Sequence, residues 1–181
     1  MSEDPRVART KRRLKTALLE MIDEVGYEQI TIERLAERAD VARSTFYTHY
    51  GAKEDLLFDG FEAWLRSFAG APCPHRDGGF CFRFSLPLLR HGAAQKAFFR
   101  NTILRGPSHR VRRRLKEVLA AVAWGEMASR DVVDPEAAPA EGRAFAVAGA
   151  FLGLLEWWFD EGRALAPEEV DRVFQEAVAR G

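Results

Sequence analysis

Residues 43–49 read Arg-Ser-Thr-Phe-Tyr-Thr-His. With Phe46 turned inward, six side chains stay outward: Arg43, Ser44, Thr45, Tyr47, Thr48 and His49. They supply hydrogen-bond donors, acceptors and one aromatic ring on a helix too short to be stable alone. That chemistry is recognition rather than bond making. Short polar side chains near the start of such a helix reach base edges in a major groove. Nothing in the sequence points to catalysis. There is no glycine-rich phosphate loop, nucleophile elbow or H-E-x-x-H motif, and His49 ends its helix without an acid nearby. Cys73, His75 and Cys81 form a C-x-H-x5-C string, which offers too few ligands for structural zinc. Two thiols so spaced are also a pair that an oxidant can address. We expect no enzyme, no cofactor and no metal.

The elements that must position these groups are all helical. Leu14, Leu18, Met21, Ile22 and Val25 make one apolar stripe, which predicts a helix over 6–25 stopped by Gly26. Thr31 is a good N-cap for a helix over 32–39, with Ile32, Leu35, Ala36 and Ala39 facing inward. Asp40-Val41-Ala42 is a tight turn, and the helix over 43–49 follows. Together, 32–51 fit a helix-turn-helix. A longer helix is predicted over 53–69. Residues 70–79 and 131–139 carry turn chemistry. Further helices are predicted over 80–91, 93–104, 109–129, 141–161 (ending near Gly162) and 167–180. We see no strand and no internal repeat. The expected fold is all-α, with a helix-turn-helix domain over 1–52 and a helical effector-binding and dimerisation domain over 53–181.

The 181 residues carry 27 Lys+Arg and 27 Asp+Glu, so bulk charge does not mark a nucleic-acid binder. The charge is uneven, however. Residues 1–15 hold six basic and two acidic side chains, residues 105–116 six basic and none acidic, and residues 126–181 five basic and twelve acidic. A hydrophobic fraction of 47% with 13 Phe and 4 Trp argues against disorder. The longest apolar stretch, 144–159, falls short of the roughly 20 residues that cross a bilayer. With two cysteines and no apolar leader segment, we expect a protein of the reducing cytoplasm.

The ordered residues of 10–57 resemble the DNA-binding domain of the tetracycline-repressor (TetR) family. They are Arg12-Arg13, an aliphatic first helix, Gly26-Tyr27, Ile30-Thr31-Ile32, Leu35-Ala36, Ala39-Asp40-Val41, Thr45-Phe46-Tyr47, His49-Tyr50 and Lys53-Glu54-Asp55-Leu56. The resemblance implies a homodimeric transcription regulator, commonly a repressor, that binds a palindromic operator in double-stranded DNA and is released by a small-molecule effector. It places Arg43, Ser44, Thr45 and Thr48 in the groove, and Thr31, Tyr47, His49 and Lys53 on phosphates. Helix N-termini at 32 and 53 suit phosphate oxygens, and the basic segment 9–15 suits the DNA backbone. There are two departures. Asp40 stands where many members have Gly, and Asp tolerates left-handed φ. Ala42 stands where many have a capping Ser, which forfeits a cap of about 1 kcal/mol.

The helix over 141–161 is apolar on nearly every face, so one subunit cannot cover it. Its small residues Ala146, Gly149, Ala150 and Gly153 allow close approach of another helix. A two-fold four-helix interface with the last helix follows, with Gly149, Gly153, Trp158 and Phe174 as interface residues. An aromatic effector pocket is expected among Trp64, Phe98, Phe99, Trp124, Phe151 and Trp157. The basic run 110–116 suits an anionic ligand or a solvated helix face. Two other readings compete: a helical ligand-binding or scaffold protein without DNA affinity, and an all-α enzyme. The effector, operator, target genes, sign of regulation and any redox role of Cys73 and Cys81 are not written in the sequence.

Overall fold

The computed structural model describes residues 4–73, 80–104, 109–130, 140–160 and 163–178. The expected loop 131–139, His75, the stop near Gly162 and the end of the expected helix 167–180 lie outside the described residues. All regular structure among the described residues is helical. The elements are α1 (Pro5–Val25), α2 (Ile32–Arg38), α3 (Arg43–His49), α4 (Lys53–Leu57), α5 (Phe61–Arg66), α6 (Ser85–Ala94), α7 (Lys96–Phe98), a π-helical segment (Phe99–Leu104), α8 (His109–Ala128), α9 (Ala140–Asp160) and α10 (Pro167–Val178). A 3-10 turn at Tyr27–Gln29 links α1 to α2.

α1 starts on an Asp4 side-chain cap and ends at Gly26, whose φ of 79° is open to glycine. Its stripe Leu14, Leu18 and Met21 is buried against Leu35, Phe46 and Leu56. This small core fixes α2 and α3 to α1. The same core continues into a cluster of aromatic rings. Phe84, Phe151 and Phe174 bring α9, α10 and the residue before α6 together, with ring centroids 5.0–6.1 Å apart. α8 packs along α9, while α10 packs on α6 and α9.

Three expected helices change shape. The single helix over 53–69 breaks into α4 and α5, because Gly60 adopts φ 74° and so interrupts the helical ladder. The helix over 80–91 begins only at Ser85, since the backbone of 82–84 bonds to side chains from α8 and α10 instead. The helix over 93–104 is interrupted at Gln95, whose φ of −119° and ψ of 37° are not helical, and then widens into the π-helical segment.

That diverted segment is held by buried polar groups. Glu126 accepts from the backbone N–H groups of Arg83 at 2.7 Å and Phe84 at 3.1 Å. Gln175 accepts from Phe82 N–H at 3.1 Å and donates to Phe82 O at 2.7 Å and Ser85 Oγ at 2.8 Å. The Ser85 hydroxyl donates to Asp171. Each bond meets a donor or acceptor that burial would otherwise leave unpaired. Cys73 and Cys81 form a disulfide with Cα atoms 6.1 Å apart. No helix among the described residues is long and apolar enough to cross a membrane.

Candidate nucleic-acid interface

The turn between α2 and α3 decides what α3 displays. Val41 N–H donates to Ala36 O at 3.0 Å and Asp40 N–H to Glu37 O at 3.0 Å. Asp40 takes φ 51°, the left-handed region that its short polar side chain tolerates. Its carboxylate also meets Arg13 of α1 at 2.5 Å. Ala42 precedes α3 and caps it with no side-chain bond, so only its carbonyl engages the first turn, through Thr45 N–H at 2.9 Å. Helix stability therefore comes from Phe46, which is fully buried with its ring 5.7 Å from that of buried Tyr50.

Anchoring Phe46 sets the outward side of α3. Arg43, Ser44, Tyr47 and Thr48 are exposed, while Thr45 and His49 are half-buried. Tyr47 keeps 47% of its surface, a large value for an aromatic ring packed edge-on to Phe46 at 5.5 Å. Arg43 is tethered within the protein. It pairs with Glu33 at 2.9 Å, donates to Tyr47 Oη at 3.4 Å, and its guanidinium lies 5.5 Å from the Tyr47 ring centre. The Tyr47 hydrogen bond and the Glu33 charge hold the Arg43 pKa above its ordinary value. Thr48 Oγ1 donates back to Ser44 O at 3.0 Å. Thr31 begins α2, with Oγ1 accepting from Arg34 N–H at 3.3 Å.

Two lysines expected near the DNA backbone do structural work as well. Lys53 Nζ donates to Tyr27 O at 2.9 Å and Ile30 O at 3.1 Å, and lies 4.2 Å from the Tyr27 ring centre. It locks the 3-10 turn to the start of α4, and its burial there pushes its pKa down. Lys15 corrects the expectation for the basic segment. Its ammonium points inward to Leu56 O at 3.2 Å, Leu57 O at 2.9 Å and Asp59 O at 3.2 Å. It thus caps the carbonyl end of α4, where a cation opposes the helix dipole, and burial lowers its pKa too. The one signal for this in the sequence is Gly60, which stops a helix whose last carbonyls then need donors.

The expected aromatic pocket set is separated. Trp64 and Phe98 line one cleft of about 580 Å³ between α1, α4, α5 and the α6–α7 region, with Phe58, Phe61, His91 and Phe99. Phe151 instead fills the aromatic core at 0% exposure. Trp124 and Trp157 pack against the core outside this cleft, and Trp157 carries Arg163 at 4.4 Å from its ring. The expected dimer residues also divide. Trp158 and Phe174 are buried within their own chain, with Trp158 Nε1 donating to Leu165 O at 3.2 Å. They have no surface left to offer a partner. Gly149 is half-buried beside Lys116, whereas Gly153 is exposed and a Cβ placed there would meet nothing within 4 Å. In the basic run on α8, Arg112 pairs with Glu156 and Arg113 with Glu117, the pattern of a solvated helix face.

Known proteins share this arrangement. Residues 15–59 match the model of the tetR family of bacterial regulatory proteins. The HTH-type transcriptional regulator YxbF of Bacillus subtilis is 42% identical over 55 residues, 30% of this chain and 14% of that protein. The HTH-type transcriptional regulator TcmR of Streptomyces glaucescens is 32% identical over 66 residues, 36% of this chain and 29% of that protein. The matches therefore span less than a third of either relative. Over the whole chain, a TetR transcriptional regulator from Streptococcus agalactiae has the same fold, with a TM-score of 0.61 at 22% identity over 97% of this chain and 96% of that one. RolR in complex with the ligand resorcinol aligns with a TM-score of 0.55 at 17% identity over 97% and 88%. Residues 15–59 thus carry a helix-turn-helix domain of the tetR family, and the chain has the fold of TetR regulators along nearly its whole length.

Proposed function

We propose that the protein is a ligand-responsive, non-catalytic repressor that binds a palindromic operator as a homodimer in the cytoplasm and is released by a small molecule. The observation that carries this reading is the outward face of α3. Arg43, Ser44, Tyr47 and Thr48 are exposed together on a helix whose opposite side is locked by Phe46. Arg43, Ser44, Thr45 and Thr48 read base edges. Thr31, Tyr47, His49 and the remaining N–H of Lys53 meet phosphates.

The dimer is supported by an uncovered apolar strip. Ala146, Ala150 and Gly153 on α9 and Val173 and Ala177 on α10 are exposed in the single chain. Pairing this strip about a two-fold buries it and sets two copies of α3 at the spacing of successive major grooves, about 34–36 Å. The effector site is the cleft beside Trp64 and Phe98. It touches α4 and α5, the elements that join α1 to α8, so an occupant there bears on the separation of the α3 copies.

The test is selection of bound fragments from random duplex DNA, followed by titration of a selected site against salt. Recovery of a two-fold symmetric sequence whose affinity falls steeply with salt supports the reading. Absence of any enriched sequence at low salt refutes it.

A further inference from the structure

The cleft between α1, α4, α5 and the α6–α7 region has a charge balance that selects its occupant. Its walls are rings. Phe61 and Trp64 lie 5.5 Å apart, Trp64 and His91 5.2 Å, and His91 and Phe99 5.7 Å, with Phe58 and Phe98 completing the apolar side. Three charged side chains line it: Lys15, Asp23 and Asp59. The Lys15 ammonium is committed to three carbonyls and is held beside Asp59, so these two cancel. Asp59 is occupied further by the Tyr50 hydroxyl at 2.8 Å.

Asp23 is what remains. It is exposed in the last turn of α1 and makes no hydrogen bond or ion pair among the described residues. No basic residue occupies that last turn, and the carbonyl end of a helix is itself partly negative. An acid there is locally unfavourable until a cation arrives. Half-buried Phe61, Trp64 and Phe98 line the cleft, and aromatic rings attract a cation by their quadrupoles, indole most strongly. Leu19, 44% exposed, supplies an apolar edge on the same face of α1 as Asp23, one helical turn away.

We propose that this cleft binds a small aromatic monocation, with the ring system against Trp64, Phe61 and Phe98 and the positive group at Asp23. This rests on the ligand-responsive reading above and names the chemistry of its ligand. Anions are disfavoured because the site has no uncommitted cation. Desolvation beside the rings of Trp64 and Phe99 pushes the His91 pKa down, against the charged form. The volume, about 580 Å³, suits a ligand of two or three fused rings.

The experiment compares N-methylquinolinium with its uncharged isostere 1-methylnaphthalene, titrated into the full-length protein without DNA and followed by tryptophan fluorescence and calorimetry. The expected result is binding of the cation about tenfold tighter than the isostere, through the cation–π and carboxylate contacts. Asp23→Asn, at an exposed unpaired position that folding does not use, is expected to reduce this preference several-fold and leave the isostere unchanged. Trp64→Phe is expected to weaken the cation more than the isostere. Equal binding of the two probes, a preference undiminished by Asp23→Asn, or no binding of either overturns the proposal. Release from DNA is measured separately. Cation binding that depends on Asp23 without loss of DNA affinity upholds the site and refutes the ligand-responsive reading instead.

Discussion

Lys53 stands where a folding role and a DNA role overlap, and one substitution separates them. Lys53→Met keeps the length of the side chain and removes the charge. In the free protein it deletes two ammonium–carbonyl bonds, to Tyr27 O at 2.9 Å and Ile30 O at 3.1 Å, and a contact 4.2 Å above the Tyr27 ring. At about 1 kcal/mol for each bond and about 0.5 kcal/mol for the ring contact, less the hydration that a half-buried ammonium retains, the loss is about 2 kcal/mol. For a domain of this size that lowers Tm by about 4–8 °C. Urea unfolding and calorimetry measure it. DNA binding is then measured well below Tm, where the variant remains folded. If the third N–H meets a phosphate, affinity falls alike on all sequences, and the slope of log K against log salt shrinks by about 0.9. An unchanged Tm would refute the turn-locking role. An unchanged salt slope with lowered Tm would leave Lys53 a purely structural residue.

Other substitutions probe the remaining parts. Glu33→Gln releases Arg43 from its exposed, solvent-screened 2.9 Å ion pair, so DNA affinity in a gel-shift or anisotropy titration should rise by about fivefold or less. Lower affinity would mean that Glu33 positions Arg43 for binding. Glu126→Ala strands the buried N–H of Phe84 and the part-buried N–H of Arg83, and is expected to cost about 2–4 kcal/mol in chemical unfolding. Burial raises the Glu126 pKa in the fold, so its contribution is fully present below the unfolded carboxyl pKa and declines as pH rises through the folded one. Glu126→Gln should therefore flatten stability against pH just above the ordinary carboxyl range, and a profile identical to the parent would contradict this. Gly153→Leu adds bulk where the single chain has open space, so the fold should survive while sedimentation shifts from a dimer toward 20.4 kDa. Two-fold mass retained at micromolar concentration would move the interface elsewhere.

The helix-turn-helix was legible because its signals are local. An apolar stripe over 14–22, Gly26, the Thr31 cap and the short turn at Asp40 each act within a few residues, and α1, α2 and α3 lie where periodicity and caps place them; only Val25, expected in the stripe, is exposed at the last residue of α1. The outward face of α3 followed from Phe46 alone. Even the Asp40 departure could be read, since left-handed φ is a property of one residue. The gaps came where distant chain segments compete for the same groups. Nothing near Ser85 announces that Glu126 and Gln175 will take the backbone of 82–84 out of a helix, from positions 42 and 93 residues away. Lys15 reads as one more basic residue until the end of α4 lies across it, and the carbonyls there bond an ammonium that burial has stripped of water. Trp64 and Phe151 have the same apolar character in the sequence, yet one borders a cleft and the other is sealed in the core. Hydrophobic burial has no direction of its own, so composition and spacing say that a ring will be covered, and packing in three dimensions chooses which neighbours cover it.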